Sequence, residues 1–423
     1  MNLRKRLQVF KAIAKKQEPM SRQRDVFSQF PPGWNLVANG VLKRVEYVRL
    51  DRRNTADATG LAILVPDFLP RLALVKRGMS RFKPLVFFDF ETTGLSGGAG
   101  TIAFLAAFGH FENTEDVNVN TLKITQYLLL DYPAERDFLR AFLPEFRAAS
   151  SHQSMDIKAD VVTYNGKCFD FQILRTRCLM NSLEPPIFNA IDLLHPCRRL
   201  WKRLLSSCSQ ASIETAVLGL DRSDDIPGSF APEIWFSFLK TGEISNLLRI
   251  CEHNQQDVFG LASIFTVFED ISRDPFGALS FVDHENIALW WREMLRRYAT
   301  FLEENCEKTE IRHHWETSRR LLESTKDYPR SAFALALDLF KEGRRTEGRK
   351  LLASIISSGD APIPIKARAL HHLAFDAEKR LQDTDAALSY LDTGLAMKIS
   401  ATLREYFNHR KNRLLTKRNI VKD

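Results

Sequence analysis

The stretch that decides the fold is residues 86–95, which read VFFDFETTGL. An apolar run of this length predicts a buried β-strand, and it ends in two carboxylates, Asp89 and Glu91. Side chains two residues apart lie on the same face of a strand. Two like charges held so close need a cation, and hard oxygen ligands on a rigid strand suit Mg²⁺ or Mn²⁺. The simpler interpretation is a strand end with two solvated acids.

Two more stretches place acidic residues at or within predicted helices. Residues 161–170, VVTYNGKCFD, predict a strand and a turn that place Asp170 near the start of the next helix. An Asp there is also a common helix cap, so Asp170 alone would be structural. Residues 253–257, HNQQD, lie in a predicted helix whose one face carries both His253 and Asp257. Taken alone, these two would be an ordinary helical histidine and a surface acid.

The chain around these stretches predicts the fold class. Strands are expected at residues 85–90, 101–111, 122–130, 160–164 and 187–191, with helices at 133–149, 171–179 and in much of the chain up to about 270. Three consecutive strands followed by alternating helices and strands predict an α/β fold with a mixed sheet flanked by helices.

Beyond residue 275 the strand signal disappears and an all-α domain is expected. An amphipathic helix begins near residue 287, and Ala-Leu-rich segments recur at residues 336–352 and 373–391. Their spacing favours two tetratricopeptide-like repeats, and an unrelated helical bundle is the alternative. The chain ends in a basic tail.

Charge and composition indicate the kind of partner and the cellular location to expect. The chain has 60 Lys and Arg against 52 Asp and Glu, a net charge of +8, which favours a polyanionic partner or simply a basic surface. No apolar stretch is long enough for a membrane span. Residues 1–30 predict a basic helical arm whose lysines interrupt any signal-peptide core. Six cysteines without a C-x-x-C pair favour reduced thiols, so a cytoplasmic location is expected.

In this order, the motifs DFE, NGKCFD and HNQQD resemble the DEDD 3′–5′ exonucleases of the ribonuclease H-like superfamily. More closely, the chain resembles the YprB-type ribonuclease H-like family, whose members often carry tetratricopeptide repeats after the nuclease-like domain. The stretches that carry this resemblance are FFDFETTGLSGG (87–98), VTYNGKCFD (162–170), IDLLHPCRRLW (191–201), DDIPG (224–228) and EHNQQDV (252–258). The resemblance covers the expected ribonuclease H-like exonuclease domain (84–272) and, loosely, the expected helical repeat domain (280–415). A basic N-terminal arm and lead-in segment (1–83) precedes them and has no counterpart in the resemblance.

The resemblance also implies roles for individual residues. It makes four carboxylates the ligands of two Mg²⁺ or Mn²⁺ ions: Asp89, Glu91, Asp170 and Asp257. The superfamily holds the attacking water with a His five residues, or a Tyr four residues, before the last Asp. Here His253 stands at the tyrosine spacing, so its imidazole either is the general base or only orients water.

Substrate contacts are expected around these acids. Thr92, Gly94 and Asn165 lie in the matching motifs, and the glycine-rich residues 94–100 predict a flexible turn beside the site. Residues 195–203 gather four cations and Trp201 on a predicted helix, so Arg198, Arg199 and Lys202 are candidate phosphate contacts. The alternative is a solvated helix face with Trp201 in the core.

The leading hypothesis is a cytoplasmic, metal-dependent 3′–5′ exonuclease that uses a two-metal mechanism and captures a partner or substrate through its helical repeats. The main alternative is a catalytically weak or inactive nucleic-acid-binding protein that acts as an adaptor through those repeats. A third interpretation is a scaffold built by the repeats alone.

Overall fold

The computed structural model describes residues 27–50, 57–78, 84–94, 100–112, 120–146 and 158–420 of the 423-residue chain. Most of the basic arm predicted for residues 1–30, and the centre of the glycine-rich turn, lie outside these described residues. The chain divides into two compact units, Met1–Ala278 and Leu279–Asp423.

The first unit contains one seven-stranded sheet. Its strands are β1 (Asn35–Ala38), β2 (Val41–Leu50), β3 (Leu85–Thr92), β4 (Ala103–Glu112), β5 (Asn120–Leu129), β6 (Asp160–Thr163) and β7 (Asn189–Asp192). They follow the order β1-β2-β5-β4-β3-β6-β7. Strand β3 pairs antiparallel with β4 and parallel with β6, so the antiparallel and parallel halves of the sheet meet at β3. The predicted mixed sheet is confirmed.

The sheet also includes a hairpin that was not predicted from the sequence. Strands β1 and β2 belong to the segment set apart as residues 1–83, and they are joined by Asn39 and Gly40. Gly40 has a φ of 69°, a conformation that glycine adopts without strain. All ten residues of β2 pair antiparallel with β5, so the sheet of the first unit begins well before residue 84.

Helices flank the sheet of the first unit. They are α1 (Ala58–Leu64), α2 (Leu69–Lys76), α3 (Glu135–Phe142), α4 (Asp170–Met180), α5 (Leu194–Trp201), α6 (Gln210–Ile213), α7 (Ala231–Thr241) and α8 (Ser245–Arg273). The 29-residue helix α8 packs against β3, β4 and β5.

Alternation along β3 decides which side chains enter the core and which enter the site. Phe88 and Phe90 point to the face covered by Phe146 and Phe142, with ring centroids 5.1 Å and 5.7 Å apart in the two pairs. Phe87 points to the opposite face, where its ring lies 5.7 Å from that of Phe265 on α8. Asp89 and Glu91 follow Phe87 at a spacing of two, so they face α8 as well.

The second unit is all-helical among its described residues, as predicted. Its helices are α9 (His284–Arg297), α10 (Ala299–Asn305), α11 (Lys308–Ser324), α12 (Pro329–Lys341), α13 (Arg345–Ser357), α14 (Ile363–Asp376), α15 (Thr384–Leu395) and α16 (Ala401–Ile420). Helix α12 packs on α13, and α14 packs on α15. The two Ala-Leu-rich segments fall on these two helix pairs, and their assignment as tetratricopeptide-like repeats stays a prediction.

The basic C-terminal residues form helix α16 rather than a tail. Arg410 and Arg413 on α16 both pair with Glu378, at 3.0 Å and 2.7 Å. Within the described part of the chain, no helix combines the length and apolar character that a membrane span requires.

Candidate metal and active site

Asp89 is held in place by a chain of hydrogen bonds from two amide side chains. Asn254 on α8, which is fully buried, donates from Nδ2 to Asp89 Oδ2 at 2.7 Å. Gln126 on β5 donates from Nε2 to Asn254 Oδ1 at 3.1 Å and to the backbone oxygen of Cys251 at 2.7 Å. Since the Gln126 donor can only face the amide oxygen of Asn254, it turns the Asn254 NH₂ group toward Asp89. Neither Gln126 nor Asn254 was predicted as a site residue.

The four carboxylates expected as metal ligands lie close enough for the charge of one to raise the pKa of another. Burial raises the pKa of Asp89 well above its ordinary value, and the charges of Asp257 and Asp170 raise it further. Burial and then the charges of Asp89 and Asp257 do the same to the pKa of Glu91. Both pKa values are raised because the acids are crowded together and partly dehydrated. A bound cation would stabilise these acids in the charged form.

Asp170 reaches this set through a tight turn after β6. Asn165 has a φ of 67°, and its backbone N–H donates to Asp192 Oδ1 at 2.9 Å. A Cβ atom on Gly166 would lie 2.5 Å from Thr163 Oγ1, so only glycine fits there. The turn makes Asp170 the first residue of α4, where burial raises its pKa to about 7. Asp192, itself buried, therefore supports the site, although it was not predicted as a site residue.

His253 and Asp257 share one face of α8, as their spacing predicts. His253 Nδ1 lies 2.7 Å from Asp225 Oδ2. On the other side of the ring, His253 Nε2 lies 3.3 Å from Asp257 Oδ2 and 3.6 Å from Glu91 Oε1. One ligand atom each from Glu91, His253 and Asp257 lie within 4.8 Å of one another. The structure thus forms a mixed nitrogen and oxygen donor group beside Asp89.

A cation from the chain itself also enters the site. Arg222 Nη2 lies 2.6 Å from Asp257 Oδ1 and 2.6 Å from Glu214 Oε2, while Nη1 lies 2.8 Å from Asp225 Oδ2. Burial lowers the pKa of Arg222, but the charges of Asp257 and Glu214 outweigh burial and raise it above its ordinary value. Arg222 was not predicted as a site residue, although it lies two residues before the DDIPG stretch (224–228) that carried part of the resemblance.

The loop that contains Arg222 and Asp225 closes against the acids at Gly228. A Cβ atom on Gly228 would lie 3.0 Å from His253 Nε2 and 3.9 Å from Glu91 Oε1. The same loop lines a polar cavity of about 280 Å³ that also borders the α8 residues Arg249, Glu252 and Gln256. The DDIPG stretch is therefore one wall of the site.

The residues expected to contact substrate lie on separate elements, in the turns after β3 and β6 and on or just after helix α5. Thr92 Oγ1 donates to the backbone oxygen of Gly94 at 3.0 Å, which stabilises the turn after β3. On α5 and at its end, Arg198 and Lys202 are exposed, and Arg199 is half-buried. Trp201 is buried, with its ring 5.7 Å from that of Phe268, so it packs in the core and is not available for stacking on a base. The substrate role of the three cations stays a prediction.

Comparison with known proteins agrees with this architecture. Residues 86–268, which include all four carboxylates and His253, match the model of a family described as the RNase_H superfamily. The first unit thus carries a ribonuclease H-like domain. The chain is also 39% identical over 184 residues to a protein from Bacillus subtilis (strain 168) described as uncharacterized protein YprB. This match covers 43% of the chain and 41% of the relative, so the chain spans less than half the length of that protein.

Proposed function

We propose that the protein is a metal-dependent nuclease, a DEDD-type 3′–5′ exonuclease that hydrolyses nucleic-acid phosphodiesters with two divalent ions. The observation that carries the proposal is the shared electrostatic environment of Asp89, Glu91, Asp170 and Asp257. Four neighbouring carboxylates, of which Glu91 and Asp170 are buried and Asp89 and Asp257 half-buried, disfavour the metal-free folded state, so binding of a cation explains their presence best. The superfamily match over the same residues supports it.

The residues fit Mg²⁺ or Mn²⁺ by their chemistry. All four proposed ligands offer carboxylate oxygens, which both ions accept. The ions, when bound, would activate the attacking water and stabilise the charge on the leaving oxygen. Asn254 would keep Asp89 in position, and Asp192 would keep the Asp170 turn in position. His253 faces Glu91 and Asp257 through Nε2, so it either holds the attacking water or is a further ligand.

The proposal extends to partners and location. Nucleic acid is the substrate, DNA or RNA, with Thr92, Gly94 and Asn165 near the acids and with Arg198, Arg199 and Lys202 as phosphate contacts. The exposure of Arg198 and Lys202 supports that role. The helical second unit would bind a protein partner. The thiols buried in the first unit support a reducing, cytoplasmic environment, since they need no disulfide to be stable.

One observation favours a second candidate, a nucleic-acid-binding protein without useful turnover. Arg222 occupies Asp257 Oδ1 at 2.6 Å, so a cation of the chain itself neutralises one of the proposed ligands. In this candidate function Arg222 takes the place of an ion, and the helical unit acts as an adaptor.

A nuclease assay separates the two candidates. The protein is incubated with 5′-labelled single- and double-stranded DNA and RNA in Mg²⁺, in Mn²⁺ and in chelator. The nuclease proposal expects progressive shortening from the 3′ end that requires metal, that disappears in Asp89→Asn, and that persists in the control Asp137→Asn on α3. Binding without cleavage in either metal would favour the second candidate. Wild-type cleavage by a folded Asp89→Asn protein would contradict the ligand assignment.

A further inference from the structure

The imidazole of His253 is fixed from the side that faces away from the acids. His253 Nδ1 lies 2.7 Å from Asp225 Oδ2, and Asp225 is itself paired with Arg222 Nη1 at 2.8 Å. A carboxylate accepts hydrogen bonds, so Nδ1 is the donor in this contact. In the neutral ring the lone pair then belongs to Nε2.

Nε2, which carries this lone pair, lies close to two carboxylates. Nε2 lies 3.3 Å from Asp257 Oδ2 and 3.6 Å from Glu91 Oε1. Adjacent ligands of an octahedral ion with bonds of about 2.1 Å are about 3.0 Å apart. The two separations from Nε2 exceed this value only slightly, and the three ligand atoms all lie within 4.8 Å of one another, so a small contraction would bring all three side chains onto one ion.

We infer that His253 is itself a metal ligand and that one ion is held by Glu91, Asp257 and the His253 imidazole, with Asp225 orienting the ring. The inference rests on the proposed function only for the presence of an ion at this site. A ligating histidine commonly donates its second ring N–H to a carboxylate, which is the arrangement that Asp225 provides. An imidazole nitrogen binds a transition-metal ion more readily than it binds Mg²⁺, so of the two ions proposed here this position favours Mn²⁺. His253 is then not the residue that holds the attacking water.

The test uses the whole 423-residue chain, stripped of metal by a chelator and given one equivalent of Mn²⁺ alone. Electron spin echo envelope modulation of the bound Mn²⁺ detects a directly coordinated imidazole nitrogen. We expect nitrogen modulation in the wild type, its loss in His253→Gln, and its retention in His195→Ala, which removes an exposed histidine of α5. In Asp225→Asn the affinity for Mn²⁺ should fall by roughly 10- to 100-fold, because the ring loses its orienting partner.

Four results would overturn the inference. The first is bound Mn²⁺ without nitrogen modulation in the wild type, a result that needs no variant to fold. The second is modulation that persists in folded His253→Gln protein. The third is unchanged Mn²⁺ affinity in that variant together with slower turnover, which would assign His253 to the attacking water. The fourth is the absence of Mn²⁺ binding at millimolar concentration.

The inference and the proposed function fail separately. A nitrogen signal in a protein that cleaves no nucleic acid would contradict the proposed function alone. Metal-dependent cleavage without the nitrogen signal would contradict the inference alone.

Discussion

Asp170 should give the metal-free protein an unusual dependence of stability on pH. Burial, with the charges of Asp192 and Asp257, raises the pKa of its carboxyl from an ordinary 3.8 to about 7 in the folded chain. In the unfolded chain the ordinary value returns. At pH values between these two pKa values the folded chain binds more protons than the unfolded chain. The contribution of Asp170 to the free energy of unfolding is therefore fully present below about pH 4 and is lost as the pH rises through 7.

The size of the effect follows from the shift. A difference of about 3 pKa units at roughly 1.4 kcal/mol each corresponds to about 4 kcal/mol once the pH exceeds both values. Between pH 5 and pH 8 the loss due to Asp170 is about 2.5 kcal/mol. Asp170→Asn removes the titrating group and keeps the side-chain shape. The variant should therefore be more stable than the wild type at pH 8, and its stability should keep only the part of the pH dependence that is due to Asp89 and Glu91, whose pKa values burial also raises.

Urea unfolding in chelator, from pH 5 to pH 8.5, measures this difference. Asp137→Asn is a matched control, because Asp137 also lies in the first turn of a helix but outside the acidic set. Adding Mn²⁺ at pH 8 should restore the wild type toward its stability at pH 5. The reasoning is refuted if Asp170→Asn loses stability with pH as steeply as the wild type, or if the metal-free wild type is more stable at pH 8 than at pH 5.

Three further outcomes are expected. Asp89→Asn should abolish metal-dependent cleavage while the melting temperature in chelator holds or rises, because one charge leaves a crowded site; a lower melting temperature would contradict this. Asn254→Leu should destabilise the fold by roughly 1–3 kcal/mol in urea unfolding, since Asp89 and Gln126 each lose a buried partner, and equal stability would show that the hydrogen-bond chain is unimportant. Nucleic-acid affinity should fall steeply with salt, and Arg198→Gln with Lys202→Gln should reduce the slope of log affinity against log salt by about one per contact, whereas an unchanged slope would place both cations off the substrate.

Most of the sheet could be predicted because its strands are apolar runs bounded by turns. Strand β2 is different, since Lys43, Arg44 and Glu46 interrupt its apolar residues. Its identity as a strand depends on pairing with β5, whose residues lie at least 70 positions further along the chain than their partners in β2. The local sequence of β2 does not show which distant strand it pairs with. The hairpin was therefore not predicted.

The same limit separates the predicted site residues from the missed ones. Asp89 and Glu91 were found through the two-residue period of a strand, and His253 and Asp257 through the four-residue spacing of a helix. Arg222 entered no such pattern, because its role comes from ion pairs with side chains of other elements.

Asn254 illustrates the point from within a recognised motif. It lies between His253 and Asp257 in the sequence, but its orientation is set by Gln126, 128 residues away. A motif identifies which residues carry the chemistry. The contacts that orient their side chains form only when the chain folds.

The pairing of β2 with β5 has a consequence for any attempt to isolate the ribonuclease H-like domain. A chain cut to residues 84–272 would lack β2 and leave the outer edge of β5 open over all ten residues of that strand. A long uncovered edge pairs readily with a second molecule, and the apolar Leu128 and Leu129 would strengthen that contact. We expect such a fragment to aggregate, whereas one that retains residues 35–50 keeps its edge covered by its own hairpin.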